Sequence, residues 1–322
     1  MANVNFTLPS RRHFLRQASM AAGASLLLSR TSLWAQTPGL HLTKQEFYTA
    51  AAHEKIRTTK LRDGIFLLEG AGGNVICHTG PDGSLLIDCQ FAAGAPHLLA
   101  AMAALRAQPL KLLINTHWHF DHTDANAVMH QHGAFLIAHE NCRARLASPQ
   151  VIAFYGLTFP PAPAAALPQQ TFTREETVYF NGVTHHLMHA PTAHTDTDIF
   201  IHFAERNVIH TGDLWFNGYY PLIDVSTGGT IQGMIDGVNR CLALADTDTK
   251  IVPGHGELGT RAQLVQYRDM LVTVAERVRK LKAQGKSLPQ TLAAQPTSDL
   301  DAVWGKGAMK GSALTTFAWQ TI

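Results

Sequence analysis

The chain has 322 residues, a length that accommodates one large domain with accessory segments. Its formal net charge is +2, from 26 basic and 24 acidic residues. Four of the basic residues lie within the first 35, so the remainder of the chain is slightly acidic. Its charge therefore gives no electrostatic argument for binding nucleic acid.

The first 35 residues are distinct from the rest of the chain. Arg11 and Arg12 stand next to each other in residues 10–16, and a weakly apolar segment follows at 18–28. That segment is too short to span a bilayer as a stable helix. The pattern resembles a twin-arginine export signal with cleavage near Ala35, which implies delivery of the folded protein to the bacterial periplasm by the twin-arginine export machinery. A disordered basic tail and an uncleaved membrane anchor are the alternatives.

The next part of the chain predicts strands and one helix before the first polar cluster. Residues 36–60 form a lead-in, and apolar residues at helical spacing predict a helix that stops before Pro109. A Gly-rich turn at 70–74 separates two predicted strand regions. The predicted elements are a helix-like patch at 47–56, a strand at 61–69, a hairpin of strands 75–79 and 85–89, and a helix at 95–108.

The four cysteines occupy no motif and form no C-x-x-C pair. The predicted hairpin pairs residue 77 with residue 88, which places Cys77 and Cys89 on opposite faces. We therefore expect free, buried thiols at Cys77, Cys89, Cys142 and Cys241.

Four metal-competent side chains follow the predicted strand at residues 111–115. His117, His119 and Asp121 share one parity in extended geometry and point the same way, so they can converge. His122 has the opposite parity and joins them only if the chain turns there. Thr123 and Asp124 are candidates to cap a helix at 125–132 after such a turn.

Nitrogen and carboxylate ligands without a thiolate suit zinc, with iron or manganese as alternatives. The six-residue segment 117–122 cannot supply all the ligands of a site for two metals, so further ligands are required downstream. Each candidate follows or joins a short apolar strand: His194 in Ala-His-Thr-Asp, Asp213 in Thr-Gly-Asp, and His255 in Pro-Gly-His-Gly.

The second half of the chain repeats the pattern of strands and helices. Residues 148–170 are rich in proline and aromatics and predict no regular structure, so they form either a substrate lid or a segment packed on the surface. The clearest helix is at 260–284, with Gly285 as its stop. Other predicted elements are strands at 134–138, 177–180, 185–190, 198–203, 208–211 and 250–252, helices at 140–147 and 230–244, and two short helices after residue 286.

The ordered set H-x-H-x-D-H, His, Gly-Asp and Gly-His-Gly resembles the metallo-β-lactamase superfamily of zinc hydrolases. The resemblance covers residues 61–285 and implies an α/β fold, the four-layer αβ/βα sandwich, with accessory helices at 286–322. It implies that the ligands lie on loops at one edge, between two sheets. It also implies that Asp88 supports the metal loop without being a ligand itself.

The same resemblance places two metals in the site. His117, His119 and His194 hold one zinc, and Asp121, His122 and His255 hold the other, with Asp213 bridging. A shared water, held as hydroxide near neutral pH, attacks a carbonyl carbon. Asp121 and Asp213 are then the catalytic carboxylates, Asp121 orienting or moving the proton.

The bridging aspartate makes this chain similar to the broad hydrolase branch of the superfamily, whose small-molecule substrates are lactams, lactones, esters or thioesters. β-lactamase activity is one of the possibilities that this resemblance leaves open. No basic cluster of the kind that grips glutathione or coenzyme A is present. Candidate substrate contacts are Trp118, Phe120, Asn217 and Tyr219. The alternatives are a mononuclear iron dioxygenase of the same fold and a non-catalytic exported metal-binding domain. Nothing in the sequence indicates an oligomeric state.

Overall fold

The computed structural model describes residues 43–322. Residues 1–42, which include the proposed export signal and its cleavage site, lie outside the described residues. Two β-sheets pack face to face, and helices cover the outer face of each sheet. This is the four-layer αβ/βα sandwich that the sequence predicts.

The first sheet has seven strands in the order β1-β2-β3-β4-β5-β6-β9. Its side chains alternate between the two faces: Ile65 and Leu67 of β2 enter the core between the sheets, whereas Phe66 and Leu68 face the helices. The strands are β1 (Arg57–Arg62), β2 (Ile65–Glu69), β3 (Val75–Gly80), β4 (Gly83–Ile87), β5 (Leu110–Ile114), β6 (Phe135–His139) and β9 (Gln170–Phe172).

The second sheet has five strands in the order β10-β11-β12-β13-β14. Only its last pair, β13 and β14, is parallel, so the carboxyl ends of those two strands meet at one edge. The strands are β10 (Glu175–Phe180), β11 (Val183–His189), β12 (Ile199–Phe203), β13 (Val208–His210) and β14 (Lys250–Val252). A separate small hairpin consists of β7 (Gln150–Ile152) and β8 (Leu157–Phe159).

The helices lie outside the sheets. On the first sheet, Leu98 and Met102 belong to the buried cluster beneath the helices; on the second, Leu264 and Phe317 do so. Among the described residues, no helix is long and apolar enough to cross a membrane. The helices are α1 (Lys44–His53), α2 (Ala95–Ala104), α3 (Phe120–Thr123), α4 (Asn126–Gln131), α5 (Glu140–Leu146), α6 (Ile231–Leu244), α7 (Arg261–Ala283), α8 (Leu288–Ala293), α9 (Asp301–Trp304) and α10 (Gly311–Thr321).

Three predictions in the first half are wrong in detail. The single strand at 61–69 is two strands, because Gly64 turns the chain with φ of +72° where a Cβ would lie 2.5 Å from the Thr79 carbonyl. The edge strand β1 consequently begins inside the lead-in. Residue 77 pairs with Leu86 rather than with residue 88, because the hairpin turn has two residues and Gly80 pairs with Gly83. Strand β4 also ends earlier than predicted, at Ile87, and the next residue, Asp88, has φ of 61°. The expectation of free, buried cysteines is nevertheless confirmed for all four.

The predicted cap of the helix at 125–132 is also wrong. The N-cap of α4 is Ala125, which makes no side-chain capping bond. Asp124 instead accepts hydrogen bonds from the Ala92 backbone amide at 2.8 Å and from the Tyr48 hydroxyl at 3.4 Å. Its carboxylate therefore joins α1 to the segment before α2 rather than capping its own helix.

Two further segments are more regular than the sequence predicts. Residues 148–170 contain the β7–β8 hairpin and a 3-10 turn, Ala164–Ala166, before β9 joins the first sheet. The region after residue 286 has three helices instead of two. In this region Trp304 and Trp319 are partly buried against the core.

A buried histidine pair joins the two sheets away from the metal loop. His78 Nδ1 of β3 lies 3.0 Å from His185 Nε2 of β11, and the second ring also bonds the Val178 carbonyl at 3.1 Å. Burial lowers the pKa of both imidazoles from 6.5 to about 4. The pair therefore stays neutral in the folded protein at pH values where the unfolded chain would bind protons.

This pair is expected to weaken the fold in acid. Between pH 6.5 and 4 the unfolded state binds more protons, so the free energy of unfolding falls as pH falls through that window. The double variant His78→Leu, His185→Leu should lose less stability than wild type between pH 7.5 and 4.5 in urea unfolding. Any release of metal in acid is common to both proteins, so equal losses would contradict the prediction.

Candidate metal centre

The H-x-H-x-D-H segment lies where β5 ends and α3 begins. His117 and His119 follow β5 in a segment that bends at 116–118, and α3 then supplies the turn that His122 requires. The amides of His122 and Thr123 both donate to the His119 carbonyl, at 3.0 and 3.1 Å. The turn brings His122 to the same side as His117, with ring centroids 4.3 Å apart.

The other three candidates arrive from the second sheet. His194 lies in the turn between β11 and β12, Asp213 in a 3-10 turn after β13, and His255 after β14. Because β13 and β14 are parallel neighbours, the segments after them leave the same edge of the sheet. All seven predicted ligands therefore meet at one edge, between the two sheets.

Three imidazoles form the first cluster. His117, His119 and His194 are buried, and their ligand atoms lie within 4.8 Å of one another. His119 Nδ1 is 2.8 Å from His194 Nε2. Asp213 Oδ2 approaches this cluster at 3.4 Å from His194 Nε2 and 3.9 Å from His117 Nε2.

Asp121, His122 and His255 form the second cluster. His255 Nε2 lies 3.2 Å from Asp121 Oδ2 and 3.4 Å from His122 Nε2. Asp213 reaches this cluster too, with Oδ1 at 3.2 Å from His122 Nε2 and Oδ2 at 3.4 Å from His255 Nε2. Its carboxylate therefore lies between the two clusters.

Two buried atoms at the centre lack hydrogen-bond partners within the described chain: His117 Nε2 and Asp213 Oδ1. The second of these is close to His122 Nε2, but the geometry is not that of a hydrogen bond. Buried polar atoms are normally paired, and lone pairs aimed at a common point suit a cation. The donor set of imidazole nitrogens and carboxylate oxygens therefore fits a metal centre.

The backbone is compact around these ligands. A Cβ on Gly254 would lie 1.9 Å from Asp213 Oδ1, and one on Gly73 would lie 2.1 Å from His122 Cε1. Only glycine permits such approaches. The Gly-rich turn after β2 and the Gly-His-Gly motif thus both pack closely against the ligands, and the Asn74 amide joins them by donating to the Gly254 carbonyl at 2.8 Å.

Further groups fix the orientation of each imidazole. Asp88 accepts from His122 Nδ1 at 2.8 Å, the position that the resemblance implies for it. Asp224 lies 3.0 Å from His119 Nε2, and the Leu222 carbonyl lies 2.8 Å from His194 Nδ1. These contacts leave His122 Nε2, His119 Nδ1 and His194 Nε2 directed at the centre. The sequence analysis missed Asp224, because it follows an apolar pair in a long loop with no motif.

Neighbouring charges and burial shift the pKa values of the side chains at the centre. Burial opposes the charged form of His255, but Asp213 and Asp121 outweigh it and raise the pKa of His255 to about 9. Burial likewise opposes ionisation of Asp121, yet His122 and His255 lower its pKa to about 2. Burial lowers the pKa of His194 to about 4, against the pull of Asp213. Ligand histidines must be neutral, so metal uptake by these residues releases protons.

Replacing Asp224 by alanine is expected to lower metal affinity by about 10- to 100-fold, because His119 loses the partner that fixes its tautomer. Asp224 has a pKa of about 2 and is buried, so it is an anion beside that ring. Titration with a fluorescent chelator would measure the change. The exposed Asp236→Ala on α6 serves as control, and equal affinity in both variants would remove the assigned role.

A cavity of about 210 Å³ opens onto the centre. Phe120 and Tyr219 line it, as predicted, whereas Trp118 and Asn217 do not. The Trp118 indole points into the core, where its Nε1 donates to Thr227 Oγ1 at 3.4 Å. The Asn217 amide donates to the Glu257 carbonyl at 2.8 Å, so neither residue reaches the cavity. Lining side chains that the sequence did not predict include Phe47, Phe91, Ile152, Tyr155 and Met309.

Comparison with known proteins agrees with this geometry. The sequence profile of the Metallo-beta-lactamase superfamily matches residues 69–255, more than half of the chain. The chain is similar to hydroxyacylglutathione hydrolase GloC of Haemophilus influenzae, with 30% identity over 158 residues, covering 48% of this chain and 72% of that protein.

Solved structures share the fold at low sequence identity. A metallo-beta-lactamase from Pontibacter korlensis has a TM-score of 0.57 at 16% identity, over 68% of this chain and 99% of that one. The DIM-1 metallo-beta-lactamase has a TM-score of 0.54 at 15% identity, over 68% and 98%. The inverting sec-alkylsulfatase Pisa1 from Pseudomonas sp. has a TM-score of 0.61 at 16% identity; the match covers 85% of this chain and 51% of that one. The chain belongs to the metallo-beta-lactamase superfamily and is a metallo-hydrolase.

Proposed function

We propose that the protein is a periplasmic dizinc hydrolase that cleaves a carbonyl-centred bond in a small molecule. The observation that carries this proposal is the pair of ligand clusters that share Asp213 at the floor of a cavity. Imidazole and carboxylate donors suit zinc. Two zinc ions bound here would polarise a carbonyl and acidify a water, so that it attacks near neutral pH.

The chain's own residues divide the remaining work. Asp213 holds the two clusters in register, because it is within 3.9 Å of imidazoles from both. Asp121 lines the cavity and keeps its carboxylate ionised, so it can orient the attacking water and accept its proton. The aromatic walls exclude bulk water, which strengthens each of these electrostatic interactions.

Metal analysis together with turnover tests the proposal. The panel contains a chromogenic cephalosporin, a lactone, an aryl ester and a thioester, each with and without chelator. We expect two zinc ions per chain and chelator-sensitive turnover of at least one substrate. Turnover that survives complete metal removal would contradict the proposal, and iron with consumption of oxygen would support the dioxygenase alternative.

The proposed periplasmic location rests on the sequence of residues 10–35 alone. A fusion of residues 1–42 to a reporter that is exported only when folded should reach the periplasm. Changing Arg11 and Arg12 to lysine should retain it in the cytoplasm. Export of both fusions to the same extent would contradict a twin-arginine signal.

A further inference from the structure

Part of the cavity wall comes from outside the matched superfamily region, residues 69–255. Helix α1 contributes Phe47 and Ala50 from before it, and the residue that follows the helix contributes Glu54. The loop between α9 and α10 contributes Gly307, Ala308 and Met309 from after it. The ligands thus lie within the superfamily region, whereas the shape of the space above them depends in part on segments of this chain outside that region.

Helix α1 is held over the cavity by aromatic contacts. The Phe47 ring meets Phe120 edge to face at 5.4 Å, Tyr155 at 6.2 Å and Phe91 at 6.1 Å between centroids. Phe120 belongs to the metal loop, and Tyr155 to the connection between β7 and β8. One side chain therefore joins three lining segments, and the wall is preformed.

The loop between α9 and α10 is held equally firmly. The Tyr220 amide donates to the Trp304 carbonyl at 2.9 Å, and its hydroxyl donates to Asp301 Oδ1 at 2.9 Å. Gly307 lies so close to Tyr219 that a Cβ there would be 2.7 Å from the ring. The accessory region is thereby tied to the segment that follows Asp213.

Among residues 43–322, no lysine or arginine lines the cavity. Lys310, next to the wall loop, donates its ammonium group to the carbonyls of Gly305 and Gly307, both at 2.9 Å. Lys306 is exposed and is not part of the lining. Among the described residues, Glu54 is the one ionisable carboxyl group on the wall apart from the metal ligands. An anionic substituent that points away from the metal centre would lose its hydration without gaining a cation.

We propose that the part of this cavity away from the metal centre binds an uncharged hydrophobic group, aryl or alkyl, of the substrate. The enzyme then prefers neutral hydrophobic esters or lactones over substrates that carry a carboxylate, such as cephalosporins. This inference rests on the proposed hydrolase function and specifies its substrate class. The residues that select the substrate are Phe47, Tyr155, Tyr219 and Met309, and two of these lie outside the matched superfamily region.

A matched ester series tests the proposal on the zinc-loaded wild-type protein. The substrates are aryl acetate, butyrate and hexanoate, with the aryl monoester of adipate as the equally long acyl chain that ends in a carboxylate. Each buried methylene should raise kcat/KM by roughly fourfold until the pocket is full. The kcat/KM of the adipate monoester should be at least about 100-fold lower than that of the hexanoate ester. The reason is that the carboxylate of the adipate loses its hydration in the pocket without gaining a charged partner. Equal or better turnover of adipate would overturn the proposal, as would indifference to chain length.

Three variants locate the effect. Phe47→Ala should reduce the ratio of kcat/KM for hexanoate to kcat/KM for acetate, with zinc content unchanged. Met309→Lys should raise adipate turnover relative to hexanoate, because it introduces a cation. Lys306→Ala is the matched control and should change nothing; loss of adipate turnover in this variant would show that an anion site exists at the mouth, contrary to the proposal.

Binding measurements with two ligands that are not esters distinguish a failure of this inference from a failure of the proposed function. N-hexylacetamide is uncharged, and 6-acetamidohexane-1-sulfonate carries an anion that is a weak metal ligand; neither is an ester. Calorimetry on the zinc-loaded protein should show tighter binding of the uncharged amide. If acetate is turned over but the sulfonate binds as well as the neutral amide, the pocket proposal fails alone. If no ester is hydrolysed but the neutral amide binds selectively, the hydrolase proposal fails alone.

Discussion

Replacing Asp213 by alanine is expected to lower kcat/KM by about 10³-fold or more and to reduce the zinc content below two ions per chain. The Asp213 carboxylate approaches imidazoles of both clusters: His194 and His255 at 3.4 Å, and His122 at 3.2 Å. Without this shared anion, Asp121 is the one carboxylate left among the predicted ligands to offset the charge of two metal ions. Elemental analysis and steady-state kinetics measure both effects.

Two controls accompany that variant. Asp213→Asn keeps the shape of the side chain and removes its charge, so it should behave like the alanine variant. Asp236→Ala removes an exposed carboxylate on α6 and should retain wild-type metal content and turnover. Two zinc ions with unchanged kcat/KM in Asp213→Ala would refute the bridging role.

Asp88→Ala is expected to reduce both stability and activity. Asp88 is fully buried and accepts three hydrogen bonds: from the Thr116 amide and hydroxyl, both at 2.7 Å, and from His122 Nδ1 at 2.8 Å. Each orphaned donor costs about 1–3 kcal/mol, so the free energy of unfolding should fall by roughly 3 kcal/mol or more. Loss of the partner of His122 should lower activity by about 10- to 100-fold.

The variant Asp88→Asn separates the effect on stability from the effect on activity. Asparagine tolerates the left-handed backbone at this position, where φ is 61°, and its amide oxygen can still accept from Thr116. Asparagine lacks the second acceptor oxygen of aspartate, so it cannot accept hydrogen bonds from both Thr116 and His122. We expect a smaller loss of stability than in the alanine variant, with a comparable loss of activity. Urea unfolding and kcat/KM would show this division, and full activity in Asp88→Asn would contradict a role in orienting His122.

The errors in the prediction have a common physical origin. Trp118 alternates with His117 and His119, so its parity shows only that it points away from them. Whether the opposite side is a cavity or the core depends on the β7–β8 hairpin, whose Phe159 packs against Trp118 with ring centroids 6.0 Å apart. Asn217 likewise appears free in the sequence, but its amide is bonded to a carbonyl 40 residues away.

The early end of β4 before Asp88 shows the same limit. Residues 85–89 look like a continuous strand, because Cys89 and the three residues at 85–87 are apolar. The strand ends earlier because the Asp88 side chain is bonded to Thr116 and His122, residues about 30 positions away. A left-handed residue held by such contacts leaves no periodic signal in the local sequence.

The sequence by itself determined most of the sheet strands and the order of the candidate ligands, because period-two alternation and ligand chemistry are written in short segments. The four-layer architecture followed from the resemblance that those ligands carry. The tertiary structure alone decided how six other side chains meet around Asp213, that Asp224 fixes His119, and that α1 and the loop before α10 form part of the cavity wall. These features depend on packing between segments as much as 260 residues apart, such as Phe47 and Met309, which line one cavity. Such contacts arise from the burial of whole faces, and no local pattern encodes which distant face will be the partner.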